Sequence, residues 1–345
     1  MKSKFACLLI LAAPAVMWSA PASAEPAAGR PEPVHAHRLF ASASLTKEQK
    51  NSPTASDFGL FYRTDDGKWL PFGPRVGING LTVQPGDAAM MFASSSDGVV
   101  LSRDGGKNWR VVTGWDVADV QNIVFDGVNP RLVYAATAWG PLRSTDGGES
   151  WQAAQQGLAK PYCQTLVSDP QHSGRVLLGT EDGLYVSTDA ALSWTRIESP
   201  ATTILRLARS DADAQLLLAG TQGRGAWLSR DDGATWSAVD AGSAKANLYA
   251  VALHPGDAAT MAVGGWGVGV RVSADGGATW TDRSAGLPVK NVLVLAFDPD
   301  VKGRLWASTF EEGSFYSDNL GRTWKNGGLY GADGTDYVFV PVPRR

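Results

Sequence analysis

Cysteine is almost missing from this chain of 345 residues, which has only Cys7 and Cys163. Cys7 falls in a segment expected to be removed, so Cys163 would stand alone and no intrachain disulfide could form. Histidine is scarce as well, with four residues in all. His35 and His37 flank a single alanine, but no Cys/His/Asp set completes a metal site around them. Past the leader no apolar run approaches the roughly 20 residues that cross a bilayer, so no spanning segment is expected. No long block of like charges occurs either. With a net charge of −3 and no basic stripe, a nucleic-acid partner is not expected. Gly-rich phosphate loops and nucleophile elbows are also missing.

The first residues have the pattern of a secretory signal peptide. Lys2 and Lys4 give a positive start, Phe5 to Val16 is largely apolar, and Ala22-Ser23-Ala24 is a small-residue cleavage site. Cleavage after Ala24 would leave residues 25–345 as one exported, periplasmic or secreted domain. Loss of the two lysines takes the charge from −3 to −5. Without disulfides, packing must hold this domain together, and its length suffices for a large core.

What the chain has in abundance is glycine (39 residues) and tryptophan (13), and a repeat places many of both. A Ser-x-Asp/Asn-x-Gly/Ala-x-x-Trp unit begins at Ser102, Ser144, Ser187, Ser229, Ser273 and Ser317. The closing tryptophans, Trp109, Trp151, Trp194, Trp236, Trp280 and Trp324, follow one another at 42, 43, 42, 44 and 44 residues. A fixed period of this size signals an array of one supersecondary unit. Within the fifth unit, Leu248–Leu253, Met261–Val263, Val270–Val272 and Thr279–Trp280 read as strands, and His254–Asp257 as a turn. Four short strands per repeat predict the blade of a β-propeller.

The turn residues have mechanical reasons. Asp104, Asp146, Asp189, Asp231 and Asp275, with Asn319 in the sixth copy, can accept bonds from the amides of their own turn. Glycine at the fifth position permits a positive φ, although Ala191 replaces it once. A glycine four residues before each serine gives a second marker. Extended backwards, it reaches Gly59 and a degenerate seventh unit, Arg63 to Trp69. Strands at Arg38–Ser42, Leu60–Arg63 and Trp69–Phe72 lack a first strand, and Tyr337–Pro341 reads as a first strand without successors. The expectation is an all-β, seven-bladed propeller of four-stranded blades, closed by joining these two ends.

These units resemble the Asp-box, or bacterial neuraminidase, repeat over nearly the whole mature chain. Sialidases and other glycoside hydrolases, sorting-receptor propellers and photosystem II assembly-factor proteins carry such boxes. Length, blade number, the export signal and Gly183–Asp189 look most like the last group. The resemblance implies that the boxes are structural and that the opposite face binds. It also implies a monomeric, non-enzymatic module of the cell envelope with a protein partner, no cofactor and no metal. The alternative is a carbohydrate-active enzyme, hydrolase or lyase, acting on a glycan. The sialidase Arg-Ile-Pro motif is absent.

Candidate site residues follow from the loops opposite the boxes. The glycine marker aligns Phe58, Asp97, Trp139, Asp182, Arg224, Val268 and Glu312, with Glu181, Trp266 and Glu311 beside them. Asp97, Trp139, Arg224 and Trp266 are expected on a ligand or partner face, though acids beside glycine are also ordinary turn residues and indoles can pack locally. Glu181, Asp182, Glu311 and Glu312 are the weak catalytic candidates, since glycoside hydrolysis needs two opposed carboxyls. Arg206 falls where other blades have Ala250 and Val294, which suits an anion at the channel or an ion pair with a neighbour. Arg209, at the strand end, is expected to pack its stem and put its head in water. Leu45–Asp57 is a polar insertion, a lid, a partner contact or tolerated length.

Overall fold

The computed structural model describes residues 36–45 and 58–342, which form seven four-stranded antiparallel sheets. The expected cleavage site, His35 and most of the Leu45–Asp57 insertion lie outside the described residues. Blade 1 consists of Ile78–Gln84, Asp87–Ser95, Gly98–Ser102 and Arg110–Val111, from the centre outwards. The inner strands of blades 2 to 6 are Val120–Phe125, Cys163–Ser168, Ile204–Arg209, Ala250–His254 and Val292–Phe297. Blade 7 is composite. Its inner strand Ala332–Pro341 pairs with His37–Leu45, which is followed by Gly59–Arg63 and Trp69–Phe72.

The ring therefore closes where the sequence predicts it, but the closing strand is five residues longer than Tyr337–Pro341. Glycines at 331 and 334 make this stretch read as a turn, yet Asp333 and Gly334 pair with Ser44 and Ala43 across a bulge at Thr335. The outermost strand of blade 7, Trp69–Phe72, stands as predicted, but that of blade 5 begins later. In blade 5 the fourth strand is Thr281–Asp282, after Trp280. The Asp275 carboxylate holds the Thr279 amide at 2.9 Å and its hydroxyl at 2.5 Å, so Thr279 and Trp280 still belong to the turn.

The core is seven hydrophobic clusters, one between each pair of neighbouring blades. One strand serves two of them. Met261 and Val263 face blade 4, while Ala262 between them faces blade 6. This is why the second strands read as unbroken apolar runs rather than alternating ones. Lone Cys163 is buried in the cluster between blades 2 and 3, where burial pushes its thiol up to about 12.

The Ser-x-Asp turns all close in one way. In blade 1 the Ser102 hydroxyl donates to Asp104 at 2.9 Å, and the same Asp104 oxygen accepts the amides of Lys107 and Asn108. Bonds from the residue four positions on, through its amide and side chain, hold the Asp104, Asp189 and Asp275 carboxyls down to about 2. Asp146 and Asp231 are lowered for the same reason. Asn319 keeps the geometry in blade 6: its Oδ1 accepts Ser317 and the Thr323 amide, and its Nδ2 donates to Thr323. The tryptophans differ between whole and worn copies. Trp109, Trp151, Trp236 and Trp280 donate to the glycine of their own turn. Trp69, Trp194 and Trp324, in the three altered copies, donate across the interface to Gly327, Ala154 and Arg283 of the preceding blade.

Candidate functional site

Antiparallel order puts the links between first and second strands and the Ser-x-Asp turns on one face of the ring. Links between second and third strands, and those from blade to blade, lie on the other, here called the loop face. Asp97, Trp139, Glu181, Asp182, Arg224, Trp266, Glu311 and Glu312 all stand in these loops. Trp139 is 66% exposed and Trp266 49%. Trp266 meets Phe310 of blade 6 edge-on, with ring centroids 5.0 Å apart. The sequence reading missed Trp115 and Tyr330, which are 98% and 68% exposed in the loops leaving blades 1 and 6. Among the described residues these four are the exposed aromatics, and all four sit on the loop face. For Trp115 a signal existed: an indole outside the repeat register, in the polar stretch Thr113-Gly114-Trp115-Asp116.

The candidate acids have different surroundings. Asp182 is tied into its own turn: Thr180 donates to one oxygen at 2.7 Å and Tyr185 to the other at 3.1 Å. Glu181 lies 4.0 Å from Lys160. Glu311 has a left-handed backbone, φ 61°, and its amide donates to Asp333 at 2.6 Å. Glu181 and Asp182 belong to blade 3, and Glu311 and Glu312 to blade 6, so three blade steps separate the two pairs. No group of three His, Cys, Asp or Glu that could hold a metal occurs among the described residues.

Arg206 does not stand on the loop face, because the register carries it into the channel. It pairs with Gly220, the first position after a bulge, just as Asp336 pairs with Ser42. The same level is held by Gly80, Asn122, Thr165, Ala250 and Val294 in the other blades. At this level the Arg206 guanidinium meets the Asp336 carboxylate at 2.5 Å, so the pair joins blade 4 to blade 7 across the axis. Asp336 also accepts the Leu81 amide of blade 1. Burial raises its carboxyl above the ordinary value, against the pull of Arg206.

Past this pair, towards the Ser-x-Asp face, a cavity of about 510 Å³ lies against the inner strands of blades 4 to 7. It is walled by Ala208, Leu253, Leu295, Phe297, Val338 and Phe339, with His37 and Asp211 among its polar residues. That cavity thus lies towards the face that the sequence reading treated as structural. Arg209 departs from expectation too. Its head is buried and pairs with Asp232 of its own blade, and Asp232 also holds Arg175 of blade 3 at 2.6 Å. His254 takes the place of aspartates in the equivalent turns: its Nδ1 accepts the Gly256 amide as Asp126 accepts Val128.

Comparisons with known proteins follow this geometry. Residues 140–245 match the family model described as sortilin, neurotensin receptor 3. No curated protein matches the chain by sequence. Among solved structures, the Niastella koreensis GH74 enzyme is 18% identical with a TM-score of 0.68, over 77% of this chain and 50% of that one. The GH74 xyloglucanase from Xanthomonas campestris is also 18% identical, with a TM-score of 0.62 over 74% and 46%. YCF48 bound to D1 peptide is 18% identical, with a TM-score of 0.57 over 74% of this chain and 83% of that one. The chain spans half or less of the GH74 chains but most of YCF48. At such identities the likeness concerns the fold, a seven-bladed β-propeller.

Proposed function

We propose that this protein is an exported, non-enzymatic module of the cell envelope that binds another protein through its loop face. The observation that carries the reading is the gathering of Trp115, Trp139, Trp266 and Tyr330 on that face. Indoles exposed to this degree are costly to leave in water, and aromatic anchors dominate protein interfaces. The likeness in fold and span to YCF48, seen with a bound peptide, supports the same use. Export rests on the leader of residues 1–24, read from sequence.

Site-specific photo-crosslinking in the native envelope tests the reading. A crosslinker at Trp139 or Trp266 should capture one protein reproducibly, and a crosslinker at Val128, on the opposite face, should not. Equal or absent capture from both faces would sink the proposal. The second reading is a carbohydrate-active enzyme, favoured by the exposed indoles as stacking platforms for sugar rings. Turnover of a chromogenic glycoside that disappears in Glu181→Gln or Glu312→Gln would establish it instead.

A further inference from the structure

The indoles of blades 1 and 2 differ from Trp266 in their surroundings. The loop from blade 1 to blade 2 folds over the turn of blade 1. The Asp119 amide donates to the Ser96 carbonyl at 3.0 Å, and the Ala138 amide donates to the Asp119 carbonyl at 3.1 Å. Two hydrogen bonds therefore connect the Asp97 turn, Asp119 and the Trp139 turn, and the Val117 amide closes the loop tip on Gly114 at 3.1 Å. Trp115 and Asp116 project from that tip, and both are exposed. The patch brings two uncovered indoles together with Asp97, Asp116 and Asp119. None of the three carboxylates has an ion-pair partner among the described residues, whereas Glu149, in the Ser-x-Asp turn of blade 2, is held by Arg103 and Arg110.

Uncovered indoles beside unpaired carboxylates attract one chemistry above others. A guanidinium or ammonium can lie over an indole face and reach a carboxylate with its N–H donors. A neutral apolar partner would bury the aspartates without compensation, and an acidic one would be repelled. We propose that the Trp115–Trp139 patch is the docking point for a basic, arginine- or lysine-bearing segment of the partner protein. This inference rests on the loop face being the protein-binding face and names the charge of what binds there.

The test uses the whole chain and a fluorescein-labelled peptide of alternating arginine and glycine, read by fluorescence anisotropy. Trp115→Ala with Trp139→Ala should weaken binding roughly fivefold to thirtyfold. Asp116→Asn with Asp119→Asn should weaken it comparably and flatten its salt dependence. Glu311→Gln with Glu312→Gln removes the same charge from the same face near blade 6 and should leave binding unchanged. The idea is overturned if that control pair weakens binding equally, or if a glutamate–glycine peptide binds as well. It is overturned also if a neutral oligosaccharide or self-association occupies the indoles and survives the aspartate changes. Failure here, with crosslinking from Trp139 or Trp266 still capturing one protein, would leave the protein-binding reading standing. Loss of that capture would remove both. These side chains are exposed, so folding of every variant can be verified by an unchanged melting temperature.

Discussion

At the residue scale, the fifth position of each turn shows how tightly the interfaces constrain single atoms. A Cβ added to Gly148 would stand 2.1 Å from Cζ of Phe92, and the backbone there has φ 85°. Strain of about 1–2 kcal/mol and overpacking of about 1–3 kcal/mol then act together. Gly148→Ala should therefore lower the melting temperature by roughly 3–8 °C in calorimetry. Ala191→Gly is the inverse experiment. Relief of a φ of 60° is offset by loss of a buried methyl worth about 0.8 kcal/mol, so its melting temperature should barely move. The glycine requirement was legible because the residue type itself repeats. The fourth position is left-handed as well: Gly105, Gly147 and Gly276 signal it in three copies, but Ala190, Asp232 and Leu320 adopt it without a glycine. Asp232 holds that conformation while pairing with Arg175 and Arg209, contacts made between strands far apart in sequence.

At the scale of the element, the Ser-x-Asp turn should behave as an acid-labile clasp. The Asp189 carboxyl falls from its ordinary 3.8 to about 2 because Ser193 and neighbouring donors bond its ionised form. A lowered folded value means that the clasp contributes fully above pH 3.8 and is lost as pH drops through about 2. Asp189→Asn should keep the melting temperature at neutral pH within a few degrees, since Asn319 already fills this role in blade 6. It should also show a shallower decline between pH 4 and pH 2, measured by thermal melts across that range. Asp189→Ala removes the acceptor altogether and should cost about 1 kcal/mol at any pH above 4. A steeper acid decline in the asparagine variant would contradict this account. The blade itself was readable because its turn residues, β-branched runs and glycine marker recur in register. Strand ends were less so: Thr279–Trp280 looks extended in sequence, but side-chain bonds to Asp275 retain it in the turn. The Trp115 patch escaped notice because it lies outside the repeat, which was the source of the legible signal.

At the scale of the whole molecule, closure depends on two ties far apart in sequence. One is the pairing of Ala332–Pro341 with His37–Leu45, which the unmatched end strands foretold. Removing residues 337–345 would take the second half of the inner strand from blade 7 and should lower the melting temperature markedly; an unchanged value would contradict the closure. The second tie is Arg206–Asp336 across the channel, which repeat periodicity could not reveal because it occurs once. Breaking a buried ion pair from one side costs about 3–5 kcal/mol, but the Arg206 side chain is 34% exposed and can recover water. Asp336→Ala should therefore cost nearer 1–3 kcal/mol by urea unfolding. Arg206→Met combined with Asp336→Ala should recover most of that loss, because no charge is then left without its partner. The pH dependence has the opposite sign to that of the turns. Burial raises the folded Asp336 value above 3.8, so between those two values the native state binds the extra proton. Stability relative to Asp336→Asn should then rise as pH falls through that window, which lies above the one in which the Ser-x-Asp turns lose theirs. A pair that only filled space would show neither recovery in the double variant nor this inverted slope.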